Sequence, residues 1–206
     1  GPTDLVTQMD QQVQKDLVEK ITHRYPEDRI FAEEDGLRSP ISEGSVWVID
    51  PIDGTNNFVT QKEDFAVMVA YFEDGIGQFG LIYDVMRDHL FYGGGEFPVY
   101  RNEVELTPFV DQPLENLLIA SNVGMLEKND WGMADLGMDS LGIRVYGSAG
   151  ISFSKILSGG ILAYFSYIWP WDYAAAAIMG DQLGYTVLNL NGDKPNYQSV
   201  EPIMMV

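Results

Sequence analysis

Apolar residues recur at helical spacing near the start of the chain. In residues 7–24, TQMDQQVQKDLVEKITHR, the positions Val13, Leu17, Val18 and Ile21 fall on one stripe. Thr7 with Asp10 three positions later fits a capping box at the helix start, and Tyr25-Pro26-Glu27-Asp28 ends it. The pattern then shortens. Arg29-Ile30-Phe31-Ala32 reads as a brief strand running into Glu33-Glu34-Asp35-Gly36, and after a polar loop Val46–Ile49 forms a nearly continuous apolar strand. From Phe65 the sequence turns β-rich. FAVMVAYF and GQFGLIYDV flank Glu73-Asp74-Gly75, a hairpin signal, and HLFYGGG and FPVYRN carry the sheet on to about Thr107.

Residues 117–122, LLIASN, open a different rhythm of strand, helix, strand, helix. GSAGISFSKILSGG predicts a helix opened by small residues and closed by glycines. ILAYFSYI follows as a strand, and WDYAAAAIMGDQLGY as an alanine-rich helix ending at Gly184. Without repeats or a low-complexity linker, the pattern predicts an α/β (α+β) protein. A β-meander lobe over residues 1–113 precedes an α/β lobe over residues 114–206.

Composition narrows the picture. With 46% hydrophobic and 12% aromatic residues this is a folding sequence, and 206 residues allow one substantial unit or two small lobes. No basic-then-apolar leader opens the chain, and no run approaches the roughly eighteen apolar residues of a membrane span. Cysteine is absent, which excludes disulfides and thiolate metal sites and leads to the expectation of a reducing cytoplasm. Thirty-one acidic against twelve basic residues give a formal charge of −19. Such a field repels nucleic acid and anionic lipid, so neither is an expected partner. A phosphorylated ligand would need cations other than lysine and arginine.

The stretch VWVIDPIDGTNNF (46–58) concentrates the chemistry. Asp50 emerges at the carboxyl end of a buried strand, Pro51 cannot extend the ladder, and Gly54 permits a tight turn. Thr55 or Asn56 then caps a short helix through Phe58. A strand end meeting a helix start directs free N–H groups at one spot, which suits an anion. Two carboxylates at that spot would repel the anion unless metal ions lie between. Asp-x-x-Asp-Gly is also ordinary turn punctuation. Company shifts the balance: Glu33-Glu34 follows a second short strand, and hard oxygens gathered from several strand ends are what magnesium requires.

Trp47-Val48-Ile49-Asp50-Pro51-Ile52-Asp53-Gly54-Thr55-Asn56-Asn57-Phe58 resembles the signature of the inositol monophosphatase family. DLVTQMD (4–10), FAEED (31–35), GSAG (147–150) and PWDYAAAA (170–177) resemble its other motifs, in the family's order and across essentially the whole chain. The resemblance implies a layered αβαβα sandwich and a magnesium-dependent phosphomonoesterase, lithium-sensitive and homodimeric. Carried over by position, Glu33, Asp50, Asp53 and Asp172 supply metal carboxylates, Ile52 its carbonyl, and Glu34 reaches a metal through water. The N–H groups of Gly54 and Thr55 hold phosphate, with Gly147, Ser148 and Ala149 also facing substrate. Asp10 and Thr55, hydrogen-bonded together, orient the attacking water, and two or three Mg2+ ions complete the site. For Asp10 a capping role, and for Asp172 an N-cap role, are the structural alternatives.

Two departures stand out. Family members begin with one more helix and continue further, so this chain is expected to be trimmed at both ends. Sugar-specific members also carry a substrate-reading glutamate shortly before the Trp-Asp motif. In YFSYIWPWD that place falls on Phe165 or Ser166, neither of them acidic. Tyr164, Phe165, Tyr167 and Trp169, alternating along a strand, read as core rather than as an apolar rim. The leading function is hydrolysis of inositol monophosphate or a similar small sugar or polyol phosphate. A fructose-1,6-bisphosphatase or an NADP 2′-phosphatase is the alternative within the family. A regulatory partner of the transcription machinery is the non-enzymatic one.

Overall fold

The first pairing in the molecule is parallel, not part of a meander. In the computed structural model, which describes residues 2–206 with side chains from residue 8 onward, helix α1 (Pro2–Arg24) leads into β1 (Arg29–Ala32). That strand lies parallel to β2 (Ser45–Asp53), with Ile30 opposite Trp47. After a short helix α2 (Thr55–Thr60), β3 (Ala66–Glu73), β4 (Ile76–Asp84), β5 (His89–Gly94), β6 (Phe97–Arg101) and β7 (Val104–Glu105) add antiparallel neighbours in chain order. The β3–β4 hairpin turns on Asp74 and Gly75, both at positive φ, as a two-residue turn matched to strand twist requires.

A second sheet follows. It is built from β8 (Leu118–Ser121), β9 (Gly142–Arg144), β10 (Ala163–Ile168), β11 (Val187–Asn189) and β12 (Glu201–Met205), in the order β11-β12-β10-β8-β9. Helices α3 (Val123–Lys128) and α4 (Met133–Asp139) connect β8 to β9. Helix α5 (Ala149–Leu157) precedes β10, and α6 (Pro170–Gln182) follows it.

Alternation along the strands sorts these elements into five layers. On β1 and β2, Phe31, Val46 and Val48 face the central core, whereas Ile30, Ala32 and Ile49 pack against Leu17, Val18 and Ile21 of α1. The central core holds α5 and α6 between the sheets, so residues such as Tyr173, Ala174, Ala175 and Ala176 are buried all round. The outer face of the second sheet, with Ile119 and Phe165, packs on Met125 of α3 and Met133 of α4. The layered αβαβα sandwich is therefore observed. The alanine run of α6 lets it approach β4 closely: a Cβ placed on Gly80 would lie 2.3 Å from the carbonyl oxygen of Ala175.

Several expectations shift. Helix α1 begins at Pro2, so Asp10 lies in its interior and not in a capping box; the Thr7 side chain lies outside the described ones. Strand β2 continues past Ile49 to Asp53 through a register shift between Asp50 and Asp53, because Pro51 and the bulge it forces keep the backbone extended. Among the described residues, no helix is long and apolar enough to cross a membrane.

Candidate active site

Three acids meet where β2 ends and α6 begins. One carboxylate oxygen from each of Asp50, Asp53 and Asp172 lies within 4.8 Å of the others. Asp50 and Asp53 are buried, and the irregularity at Pro51–Ile52 lets both, three apart in sequence, turn toward one point. Gly54 is the N-cap of α2 at φ 88, and a Cβ there would stand 2.9 Å from that of Ser148. Only glycine combines that backbone with that approach. The capping residue is thus Gly54, not Thr55 or Asn56, and no side chain caps this helix.

Asp53 is the best satisfied of the three. Its carboxylate accepts the Ser148 hydroxyl and the N–H groups of Ala149 (3.0 Å) and Gly150 (2.7 Å), the opening of α5. Burial raises its pKa, while these hydrogen bonds act to lower it. Asp172 sits third in α6, not at its N-cap, and accepts the Trp169 N–H at 2.6 Å. Burial and then the charge of Asp53 hold its pKa well above the carboxylate range. Asp50 fares worst. Its Oδ1 is buried without a hydrogen-bond partner, and burial followed by the charges of Asp53, Asp172 and Glu33 pushes its pKa well up.

The Glu33-Glu34 turn approaches from the other side. Glu33, half-buried, lies against Asp50, and burial followed by the charges of Glu34 and Asp10 raises its pKa to about 7. Asp10 is 4% exposed, its Oδ1 lacks a partner, and burial with the Glu34 charge raises its pKa to about 6. The expected Thr55–Asp10 hydrogen bond is not made. The Thr55 hydroxyl donates instead to the Ile52 carbonyl at 3.2 Å, the nearest acceptor across its own turn.

Orphaned, buried, exclusively oxygen donors are a poor resting state for a protein and a good one for a hard divalent cation. The residues present fit magnesium. Asp50, Asp53 and Asp172 would hold it, with Glu33 lying against Asp50 outside that group of three, and a bound cation would offset the burial and the like charge that raise these pKa values.

Beside the acids lies a cavity of ≈ 280 Å³. Gly147, Ser148 and Ala149 line it together with Asp53 and Asp172. Its far wall is formed at the carboxyl ends of β8 and β10 by Asn122 and Ser166, joined by a 2.9 Å hydrogen bond. The helices after these two parallel strands, α3 and α6, pack on opposite faces of the sheet, and such a switch point leaves a crevice. Strand β10 resolves the alternatives at 165 and 166: Ser166 lines the cavity, and Phe165 belongs to the outer core. Tyr164 and Phe165 are buried as expected, but Tyr167 and Trp169 are 44% and 38% exposed, where the pairing with β8 has ended and only β12 still flanks β10 as far as Ile168.

Two residues had no role assigned from the sequence, although Asn57 stands inside the stretch 46–58. Gln14, 1% exposed on α1, pairs with the backbone of Glu34 in both directions, donating at 3.0 Å and accepting at 2.9 Å. Asn57 donates to the carbonyls of Asp64 (2.9 Å) and Tyr146 (2.7 Å), tying α2 to the segment before Gly147. Polar side chains bonded to distant backbone leave no periodicity. Asn122 was legible only as the polar end of LLIASN.

Comparison with known proteins agrees with this geometry. The family model for the inositol monophosphatase family matches residues 1–205. The chain is 37% identical over 199 residues to the inositol-1-monophosphatase of Bacillus subtilis (strain 168), covering 94% of this chain and 75% of that relative. Its structure is similar to SaIMPase-II with 2′AMP bound, at TM-score 0.93 and 32% identity, covering 98% of this chain and 79% of the other. An IMPase/NADP phosphatase complexed with Mg2+ and phosphate matches at TM-score 0.89 and 25% identity, covering 96% and 76%. These matches are to phosphatases, and they support that activity over a regulatory role in transcription.

Proposed function

The chain belongs to the inositol monophosphatase family and is a phosphoric monoester hydrolase, and from that premise we propose a Mg2+-dependent enzyme acting on myo-inositol 1-phosphate or a similar small sugar or polyol phosphate. The observation that carries this reading is the meeting of Asp50, Asp53 and Asp172 within 4.8 Å at the edge of the cavity. Two or three bound Mg2+ ions would offset the repulsion between a phosphate dianion and an incoming nucleophile, acidify a water and stabilise the departing alkoxide.

The chain's own groups do the rest. Asp10 accepts a proton in this reading, which its buried and unpartnered Oδ1 supports, and Thr55 on α2 helps to orient the water. The N–H groups of Gly54 and Thr55 orient phosphate oxygens. Gly147, Ser148 and Ala149 border the alcohol, and Glu34 completes the outer edge. Residues 1–113 and 114–206 act as two lobes of one catalytic unit, a division supported by the first sheet ending at Glu105 and the second beginning at Leu118. Lithium inhibition and a homodimer are part of the same reading and rest on the family resemblance, and a cytoplasmic location rests on the absence of cysteine.

A second reading, a 2′-phosphatase of nucleotides, is favoured by one feature. The cavity wall carries Ser166, one of the two positions where the resemblance puts an acid in sugar-specific members, and relatives have been solved as a 2′AMP complex and as an NADP phosphatase. A fructose-1,6-bisphosphatase remains the third candidate. Phosphate release from a panel of inositol, sugar and nucleotide monoesters, with and without Mg2+, tests all three. Full turnover in excess chelator would refute the metal assignment.

A further inference from the structure

The turn that carries Glu33 folds back on β1 as a tight hairpin. Ala32 N–H donates to the Leu37 carbonyl at 2.9 Å and Ser39 N–H to that of Ile30 at 3.3 Å, with Asp35 and Gly36 at positive φ at the tip. Arg38, two residues past the tip, reaches back across this hairpin. Its Nη1 donates to the carbonyls of Ala32 and of Leu37 (3.0 Å), and its Nη2 to the carbonyl of Glu33 itself (3.2 Å). The guanidinium carbon also lies 4.6 Å from the ring centre of Trp171 and 5.7 Å from that of Phe31. Trp171 precedes Asp172 and stacks on Trp169, 4.8 Å away with an 8° interplanar angle, and the Trp169 N–H in turn holds Asp172.

One guanidinium therefore touches both the turn presenting Glu33 and the aromatic pair seating Asp172. Its donors go to carbonyls and not to the Glu33 carboxylate, which lies against Asp50. In a chain of charge −19 an arginine at an acidic site would ordinarily pair with a carboxylate and compete with a cation for it. Here the fork engages three carbonyl oxygens while its central carbon sits over an indole, a combination an ammonium cannot make.

We propose that Arg38 is a positioning residue of the metal site, locking the Glu33 turn to Trp171 so that Glu33 and Asp172, from opposite ends of the chain, keep a common geometry. The proposal rests on the reading of Glu33 as a metal carboxylate. Partners that orient metal ligands typically contribute tenfold or more to affinity.

The test is Mn2+ binding to the resting protein, followed by electron paramagnetic resonance, with kinetics alongside. Arg38→Ala should weaken binding of one ion about tenfold and raise the Mg2+ concentration needed for half-maximal rate in proportion. The rate at saturating Mg2+ should change far less. Arg38→Lys, which keeps the charge, should recover little of the loss, and it carries the test alone should the alanine variant not fold. Unchanged Mn2+ affinity in either variant, or full recovery by lysine, overturns the proposal. Glu33→Gln separates the underlying reading: if it leaves Mn2+ binding intact, Glu33 is not a ligand, whatever Arg38 does.

Discussion

The carboxylate of Asp53, last residue of β2, accepts the hydroxyl hydrogen of Ser148, the residue that caps α5 ninety-five positions later. This bond joins the end of the first sheet to the helix layer that supports both. It also divides the burden of like charge. Asp53 has three donors to stabilise its ionised form, whereas Asp50, 1% exposed, keeps one oxygen with none. The metal-free cluster is therefore strained chiefly at Asp50.

Asp50→Asn should separate stability from activity. Removing a buried, partly unpartnered charge beside two other carboxylates is expected to stabilise the metal-free protein by about 1–3 kcal/mol at neutral pH. Hydrolysis should fall by several orders of magnitude, because a cation loses a carboxylate. Urea unfolding in chelator, paired with phosphate release in Mg2+, measures both. A destabilised variant would contradict the picture of an overcharged cluster.

The raised pKa values set a pH window with a definite sign. Glu33 at about 7 and Asp10 at about 6 lie above their ordinary values of 4.5 and 3.8. The folded protein thus holds more protons than the unfolded chain between those limits. The stabilising contribution is complete below the unfolded values and is lost as pH rises through 6 and 7. The metal-free protein should grow less stable from pH 4.5 to 7.5, and Mg2+ should restore what is lost. Cation binding near pH 6.5 should release protons, seen as a dependence of calorimetric heat on the buffer's ionisation enthalpy.

Gln14→Ala should loosen the acidic turn. The variant leaves the N–H and the carbonyl of Glu34 without their partner in a part-buried position, at a cost of roughly 2–4 kcal/mol. Gln14→Glu should be at least as harmful, since it replaces the donor with a further negative charge next to Asp10. Urea midpoints give the cost, and the Mg2+ requirement should rise in both variants.

What could be read in advance follows from where the signal is local. β1 is found at Arg29–Ala32 because the short apolar run Ile30-Phe31-Ala32 between polar flanks has few other fates, and Asp74-Gly75 makes its turn by backbone chemistry alone. The acids of the site were legible because strand ends, proline and glycine mark them. Strands β9 and β11, of three residues each, carry too few positions for any period to show, and β12 contains Pro202. Helices α3 and α4 are only six and seven residues long and are held by Met125 and Met133 reaching one side of the second sheet, a contact with no counterpart in local pattern. Gln14 and Arg38 escaped for a related reason: what they hold is backbone, and any sequence offers backbone.

Ser166 is the place to test what the cavity recognises. On β10, Tyr164, Ser166 and Ile168 line the cavity while Phe165 faces the outer core, so an acid restored at 166 would point at the substrate's alcohol and one at 165 would not. Ser166 is 4% exposed and bonded to Asn122, yet it borders the cavity of ≈ 280 Å³, which gives a longer side chain room to turn outward. A carboxylate there would accept hydrogen bonds from vicinal hydroxyls and repel a second phosphate. A hydrogen bond to a charged group is worth about 1.5–3 kcal/mol, so Ser166→Glu should shift the ratio of kcat/KM for inositol 1-phosphate over 2′AMP upward by roughly tenfold or more. Phe165→Glu should destabilise the fold instead, since it places a charge in the outer core. An unchanged ratio in Ser166→Glu would mean that the alcohol is read elsewhere, at the exposed rim formed by Val123 and Val145.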